Sequence, residues 1–548
     1  MLNLKRPSTV KGPKSLRRAA VVLAAICVLP MVAVALAAVT GGSDTLVHLA
    51  ETVLGRYITT TALLVVLVSI GTFMIGTGAA WLVTMTEFPA RRILEIALVI
   101  PLAFPAYVLA YAYTHLLDHP GIVQSTLRDV TGWGPRDYDF PEIRSIGGAA
   151  LMLILVLYPY VYLLARAAFL QQSATSFLAA RSLGKTPWQA FLGVSIPMAR
   201  PAIASGVLLA VMETIADFGT VAYFGVQTFA TGIYTSWFSI GDRAGAAQLA
   251  SGILMVALVL AVLERSSRGR AKYHDSSKRQ EPMEPIQLRG WAKWGAMGLC
   301  IVPVMFGWVV PGVALMIMGF GSEQDLFSPR YVAFAVNSVT LASIAAVVTL
   351  VAAVILGYMQ RLDDGLLSRL STSIARLGYA VPGGVIAVGL MVPFASFDNA
   401  LDAWMRATFD ISTGLLITGS IWLLVAAYMI RFLAAALGAY EGGQVAVNAN
   451  MDMASRALGK TALGTLRHVH FPILRPSLLT ALLIVFVDVM KELPATLILR
   501  PFNFDTLAVQ AYRLASDERL EGAAVPSLVI VAIGLLPVIL ICRQVGRR

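Results

Sequence analysis

Four acidic residues lie within apolar segments, where a charge is costly: Glu213, Asp217, Asp488 and Glu492. Glu213 lies twelve residues beyond Pro201, about 18 Å along a helix, and Asp217 follows one turn later on the same helical face. Ionised groups at such depth usually face a water-filled cavity or a partner charge. The four acids therefore predict one of two arrangements. Either they line a pathway for a cationic solute, or they pair locally with Lys491 or Arg431 and fix helix packing.

The other residues with chemical potential have weaker spacing signals. His115 and His119 are four residues apart at the end of an apolar segment, which suits a solvated helix end better than a metal site. His468 and His470 lie in a polar loop and are predicted to contact solvent or a partner. Three tyrosines are predicted to serve as membrane-interface anchors and in packing, not as ligands: Tyr107, Tyr111 and Tyr113. No metal site and no catalytic residue is predicted.

The elements that position these residues follow from the composition. The chain has 548 residues, of which 57% are hydrophobic and only 13% charged, about half the charge of a soluble domain. The apolar residues gather in runs of about 20, long enough for a helix to cross ~30 Å of hydrocarbon. This excludes a soluble enzyme and a secreted disulfide scaffold, and it predicts an all-α polytopic membrane protein.

Twelve membrane spans are predicted from these runs. They lie near residues 19–39, 59–86, 96–114, 146–165, 202–225, 244–263, 294–320, 331–360, 377–397, 411–430, 477–499 and 525–542. The net charge of +11 comes mainly from Lys and Arg on the side of the membrane that holds the N-terminus. By the positive-inside rule this side is the cytoplasm. We therefore expect a multi-pass membrane protein with both termini cytoplasmic, and no nucleic-acid partner.

The chain repeats itself at a spacing of 275 residues. This shift superimposes Gly, Pro and Arg positions as well as apolar ones over more than 60 residues, for example Pro197 on Pro472 and Arg200 on Arg475. A polar stretch, 265–293, separates the copies. We therefore expect a first half of six spans at 1–264, a cytoplasmic linker at 265–293, and a second half of six spans at 294–548.

The strongest motif is a loop that occurs once in each half, at 172–200 and at 438–475; we call these the first and second paired loops. Each has small residues, then Gly184 or Gly459, then a short amphipathic stretch that ends at Pro-x-x-Arg-Pro. Glycine permits the positive φ that turns one helix into another. The prolines are expected to end the second helix and to open the next span. The product is a short lever on the cytoplasmic face.

This motif resembles the EAA loop of binding-protein-dependent ABC importer permeases. The resemblance implies two tandem six-helix MetI-like permease units whose loops dock on two copies of a separate ATPase subunit. The docking residues it implies are Ala179, Ala180, Gly184, Lys185 and Pro197 in the first loop, and Ala454, Ser455, Gly459, Lys460 and Pro472 in the second. The Glu that opens the family motif is replaced by Leu178 and Met453, and its second Ala by Ser455.

Two segments, 101–118 and 213–238, resemble the ferric-iron importer permeases within this family. The resemblance implies an inner-membrane transport subunit without enzymatic activity, supplied with iron by a soluble binding protein and embedded in lipid. The outer loop 117–145 is either a docking surface for that protein or a plain solvated loop. Gly-Lys-Thr at 184–186 and 459–461 lacks the earlier Gly of a phosphate-binding loop. No cofactor is therefore expected on this chain, and ATP and Mg²⁺ are expected on the partner ATPase only.

Three alternatives remain at this point. The cargo could be thiamine, a phosphonate or a polyamine, because permeases for these solutes share the paired loops. A secondary transporter is also commonly built from repeats, but it does not need paired Gly–Pro loops and usually has broken helices in matching spans. A membrane protease would use its buried carboxylates at unlike positions, whereas these four are repeated symmetrically.

Overall fold

A computed structural model describes residues 13–170, 179–271, 285–322, 324–325, 328–363 and 365–545. Among these residues, eleven helices are long and apolar enough to cross a membrane. They are α1 (Lys14–Thr40), α2 (Val47–Met85), α3 (Ile146–Leu170), α4 (Trp188–Ala216), α5 (Arg243–Glu264), α6 (Trp291–Gly321), α7 (Pro329–Leu362), α8 (Gly383–Phe409), α9 (Ile421–Gln444), α10 (Ala462–Met490) and α11 (Leu520–Ile539). The all-α polytopic membrane fold is confirmed.

Shorter elements connect the long helices. The α-helical ones are Arg91–Ala97, Ala106–Leu117, Ile122–Thr131, Gly219–Tyr223, Phe229–Tyr234, Leu366–Ala375, Ala449–Ala457, Pro494–Leu499 and Leu507–Ser516, and the 3₁₀ turns are Ile100–Ala103 and Arg376–Ala380. Two strands of two residues each, β1 (Thr86–Glu87) and β2 (Ile286–Gln287), pair in parallel. Through this pairing, the end of the polar linker is attached to the end of α2.

The predicted third span, 96–114, is broken in the structure. Arg91–Ala103 and Ala106–Thr131 are helical stretches that meet at an angle of 94°. A similar break precedes α8, where Val381 is extended. The physical reason is proline, because Pro105 and Pro382 each cap the helix that follows and force the preceding residue out of the helical region.

The prediction for the tenth span was also wrong in its position. It was placed at 411–430, whereas α9 begins only at Ile421. Carboxylates of α8 hold the segment before α9 in a non-helical conformation. Asp402 accepts hydrogen bonds from the N–H groups of Thr413 and Gly414 at 2.7 and 2.9 Å, and Asp398 accepts from that of Thr418 at 2.8 Å. These bonds satisfy backbone groups that a helix would otherwise have to pair.

The chain divides into two compact units that differ from the two predicted halves. One unit comprises Met1–Leu49, Ile233–Leu258 and Asp325–Gln510. Within it, α1 packs on α8, and Gly389 leaves room for the backbone of Pro30. The contact units therefore include a helix of the first half among helices of the second. The division of the sequence at 264 and 293 stays a prediction.

The second unit comprises Ala50–Gly232, Val259–Gln324 and Ala511–Arg548. Its core contains α2 and α3, which pack closely because glycines of α2 face α3. A Cβ added at Gly76 would lie 2.7 Å from the Val161 Cβ and 2.9 Å from the Tyr158 carbonyl oxygen. The nearby Arg166 is buried and forms an ion pair with Glu95. Close backbone approach at Gly76 thus sets the spacing of these two helices.

The helix contact at Gly76 can be tested with a matched substitution on the same helix. We expect Gly76→Ile to lower the free energy of unfolding by about 1–3 kcal/mol, since the side chain overpacks the contact with α3. Gly78→Ile should stay within about 0.5 kcal/mol of wild type, because a Cβ at Gly78 meets no atom within 4 Å. Thermal unfolding of the detergent-purified protein measures both. Equal losses in the two variants would contradict the packing.

Candidate functional site: the paired loops and the buried acids

Both paired loops turn at a glycine in the left-handed region, as predicted. The φ angle is +83° at Gly184 and +76° at Gly459. A residue with a Cβ is strained there. The two turns also have the same pair of backbone hydrogen bonds. In the first turn, Gly184 N–H donates to Arg181 O at 3.0 Å and Lys185 N–H donates to Ala180 O at 3.2 Å. In the second, Gly459 N–H donates to Arg456 O at 2.9 Å and Lys460 N–H donates to Ser455 O at 3.1 Å. The sequence repeat is therefore also a repeat of backbone geometry.

The helix after each turn begins at a threonine cap. Thr186 Oγ1 accepts from the Gln189 N–H at 3.2 Å, and the Gln189 side chain accepts from the Thr186 N–H at 2.9 Å, which is a capping box. Thr461 Oγ1 accepts from the Gly464 N–H at 3.1 Å. In both loops, the start of the helix that follows the glycine is thus specified by residues of the loop itself.

The prolines do not end this helix, so that prediction was wrong. One wide π-helical turn, Phe191–Ser195, precedes Pro197, and another, Leu466–His470, precedes Pro472. The wider turn makes room for the proline ring, which would clash with the carbonyl four residues earlier in an α-helix. In each loop, the helix after the glycine therefore continues without interruption and forms the start of α4 or α10.

The two loops expose most of the residues assigned to docking. In the first loop Ala179, Gly184 and Lys185 are exposed, whereas Ala180 is buried. In the second loop the exposed ones are Ala454, Gly459, Lys460 and Pro472, and Ser455 is buried, where its hydroxyl bonds that of Thr465 at 2.9 Å. Leu178 lies outside the described residues, and Met453 is exposed. An exposed turn of repeated geometry is thus presented twice.

His470 is the residue of the second loop that the sequence misplaced. It was predicted to contact solvent or a partner, but it is fully buried and its Nε2 lies 2.6 Å from Asp452 Oδ1. Asp452 also binds Arg361 at 2.8 Å. These partners lie 18 and 91 positions apart in sequence, so no local pattern could have identified them.

The buried acids have a structural role that the sequence also missed. Helix α4 ends at Ala216, and Asp217 lies beyond its end, so Glu213 and Asp217 do not share one helical face. Asp217 instead caps Gly219–Tyr223: its carboxylate accepts from the N–H groups of Thr220 and Val221 at 3.1 and 3.2 Å. The predicted single span at 202–225 is therefore two helices joined at an acidic cap.

The second half repeats this break. Helix α10 ends at Met490, and Glu492 caps Pro494–Leu499. The Glu492 carboxylate accepts from the N–H groups of Ala495 and Thr496 at 2.9 and 3.1 Å. The predicted span at 477–499 is likewise broken. Asp217 and Glu492 are equivalent under the 275-residue shift, so both halves interrupt a helix at the same place and satisfy the freed backbone with a carboxylate.

The acids of the two halves differ in their partners. Lys491 Nζ lies 2.9 Å from Asp488, and Arg431 Nη1 lies 3.5 Å from Glu492. The local pairing that the sequence left open is therefore present in the second half. The 275-residue shift replaces Lys491 by Ala216 and Arg431 by Val156. In the described part of the chain, Glu213 has no ion-pair partner.

The remaining candidates pack as ordinary side chains. Tyr107, Tyr111 and Tyr113 are buried, and the rings of Tyr107 and Tyr111 lie 5.7 Å apart. The residues that the structure describes contain no group of three or more His, Cys, Asp or Glu side chains placed to hold a metal ion. The packing role predicted for the tyrosines is confirmed.

Comparison with known proteins gives matches over most of the chain. Residues 72–268 and 349–548 each match the family described as binding-protein-dependent transport system inner membrane component. The Fe(3+)-transport system permease protein FbpB 2 of Haemophilus influenzae is 24% identical over 89% of this chain and 90% of its own length. The ferric transport system permease protein FbpB of Actinobacillus pleuropneumoniae is 25% identical over 81% of this chain and 64% of its own length. The molybdenum transport system permease protein ModB of Escherichia coli K12 is 28% identical over 36% of this chain and 87% of its own length.

The capping role of Asp217 predicts a specific order of stabilities. Asp217→Ala should lower the free energy of unfolding by about 1 kcal/mol, because the N–H groups of Thr220 and Val221 lose their acceptor. Asp217→Asn keeps an acceptor oxygen at the cap and should recover most of that loss. Thermal unfolding in detergent measures the order. Equal losses in the alanine and asparagine variants would show that the charge matters and the cap does not.

Proposed function

The chain belongs to the family of binding-protein-dependent transport system inner membrane components, and we propose that its cargo is ferric iron. The observation that carries this proposal is the likeness to an Fe(3+)-transport permease over 89% of the chain. The protein is a multi-pass membrane permease built from two tandem units of the family. A soluble binding protein delivers the iron, and ATP hydrolysis elsewhere drives its passage.

Two copies of a separate ATPase subunit dock on the two paired loops. Support comes from the repeated exposed turns at Gly184 and Gly459. Helices α4 and α10 have 29 residues each, about 43 Å of continuous helix. A loop displaced by ATP-driven closure of its ATPase therefore displaces the acid-capped break at the far end. ATP and Mg²⁺ bind on the ATPase, and this chain supplies the levers.

The paired loops, the linker and both termini face the cytoplasm, in accord with the excess of Lys and Arg there. The binding protein approaches from the opposite side and contacts the loop 117–145. This loop exposes Trp133 and Val130. It is held by Arg144, which donates to both oxygens of Glu518 at 2.7 Å; these bonds lower the pKa of Glu518. An ordered loop with exposed apolar side chains suits a protein partner.

The acids favour a cationic cargo. Glu213 and Asp217 carry carboxylates that no Lys or Arg in the described part of the chain neutralises, whereas Asp488 and Glu492 are paired. Unneutralised acids repel an oxyanion and attract a metal cation. The alternative to a cationic cargo is an anionic one, which the distant likeness to a molybdenum permease raises. The acids of the first half argue against it.

The cation pathway makes a prediction about the two halves. Glu213→Gln should lower iron transport about tenfold or more, because it removes an uncompensated charge from the path. Asp488→Asn should have a smaller effect, because that carboxylate already pairs with Lys491. Uptake of radioactive iron into proteoliposomes that contain the complete complex measures both. Full transport by the Glu213→Gln complex would remove Glu213 from the path, and uptake of molybdate instead of iron would overturn the cargo.

Docking at the glycine turns can be tested with two substitutions that share the backbone strain but differ in the size of the added side chain. Gly459→Ala and Gly459→Trp both suffer the positive φ, a cost of about 1–2 kcal/mol. Only the tryptophan adds a large side chain to the exposed face, where a Cβ meets nothing within 4 Å. The alanine variant should retain the ATPase during purification, and the tryptophan variant should lose it while it still inserts into the membrane. Retention of the ATPase by Gly459→Trp and Gly184→Trp alike would contradict docking at these turns.

A further inference from the structure

The second paired loop is attached to its unit by a charged cluster centred on Asp452. The carboxylate of Asp452 accepts from Arg361 Nε at 2.8 Å through one oxygen, and the other oxygen lies 2.6 Å from His470 Nε2. Arg361 lies at the end of α7, Asp452 in the first turn of Ala449–Ala457, and His470 in the π turn of α10. One side chain therefore joins three segments.

Hydrogen bonds to backbone carbonyls close the same cluster. Arg361 Nη2 donates to the Val447 carbonyl at 2.7 Å, and the Tyr358 hydroxyl donates to the Ala462 carbonyl at 2.6 Å. The Tyr358 ring also packs edge-on against His470, with ring centres 5.1 Å apart. Both arms of the second loop, before and after Gly459, are thus fixed to the end of α7. Charge-assisted bonds that are mostly shielded from water hold such a joint more firmly than exposed ones.

The first paired loop lacks these side chains. The 275-residue shift replaces Tyr358 by Val83, Arg361 by Thr86, His470 by Ser195 and Asp452 by Phe177, of which Phe177 lies outside the described residues. The Thr86 hydroxyl donates to the Leu82 carbonyl in the last turn of α2 at 2.7 Å. No charged residue occupies any of these four positions.

Among the described residues, apolar contacts with the linker and with the end of α2 hold the first loop instead. The Trp81 ring of α2 lies 4.6 Å from that of Phe191 and 6.5 Å from that of Trp188. Strand β2, in the linker, pairs with β1 at the end of α2. Its Ile286 packs against Ala180 and Ala190 of the first paired loop. The hydrophobic effect is non-directional, whereas a carboxylate that accepts from two donors fixes their relative positions. The two loops are therefore held by different kinds of interaction.

We propose that Asp452 is a positioning residue that makes the second paired loop the stiff lever of the pair, and that the two ATPase docking sites are mechanically unequal. Motion of the ATPase at the second loop is transmitted directly to α7 and α10. Motion at the first loop is partly absorbed by the contact with the linker. This inference rests on the proposed docking of ATPase subunits on the paired loops.

The test compares Asp452→Ala with the conservative Asp452→Glu and with a matched control, Asp363→Ala. Asp363 lies two residues beyond Arg361, and its carboxylate accepts from the Gly365 N–H at 2.9 Å within its own turn. Complexes with ATPase and binding protein are placed in proteoliposomes, and iron transported per ATP hydrolysed is measured. Asp452→Ala should retain the ATPase and its hydrolysis, with transport per ATP lowered at least about fivefold. The control should match wild type, and Asp452→Glu should recover part of the loss.

A second measurement needs no ATPase. Spin labels at positions 445 and 460, both exposed, report how firmly the second loop is held in the permease alone. Asp452→Ala should broaden their distance distribution, and Asp363→Ala should not. An unchanged distribution together with an unchanged transport ratio would overturn the role of Asp452. If the wild-type permease binds no ATPase while the distribution still broadens, the joint is real and the proposed function is wrong.

Discussion

Helical continuity in α4 and α10 is the constraint on which the rest of the structure depends. Inside a bilayer a helix can stop only where its free backbone groups find partners. Each of these helices starts at a threonine cap in a paired loop and passes a proline through a π turn. Each ends just before an acid whose carboxylate caps the next helix. Hydrogen-bonded side chains therefore mark both ends of α4 and of α10. Each helix joins an exposed loop rigidly to a carboxylate within an apolar segment.

Both halves of the repeat contain this continuous helix. The halves differ in the charges near its end and in the contacts of its loop. In the second half, the acids at the break are balanced by Lys491 and Arg431, and the loop is fixed by Asp452. In the first half, no Lys or Arg among the described residues balances the acids, and the loop packs against the linker through Ile286. A duplicated architecture thus carries unequal electrostatics, which a permease made of two identical subunits could not do.

Periodicity and turn chemistry were sufficient to predict the membrane fold, the repeat and the positive φ at Gly184 and Gly459. They failed where a residue has two possible roles. Pro197 was predicted to end a helix, but a wide turn accommodates it. Asp217 was placed inside a helix, because a carboxylate that caps and one that faces a cavity look alike in sequence. His470 and Asp452 meet only through the tertiary fold, so no spacing rule could join them.

The central claim is that the two paired loops each hold one ATPase subunit. Native mass spectrometry of the gently purified complex tests this most directly, because it counts subunits. We expect one copy of this chain with two copies of an ATPase, and loss of both copies when Gly184 and Gly459 are replaced together by Trp. A chain that is purified without an ATPase, yet still moves iron along an ion gradient in liposomes, would contradict it.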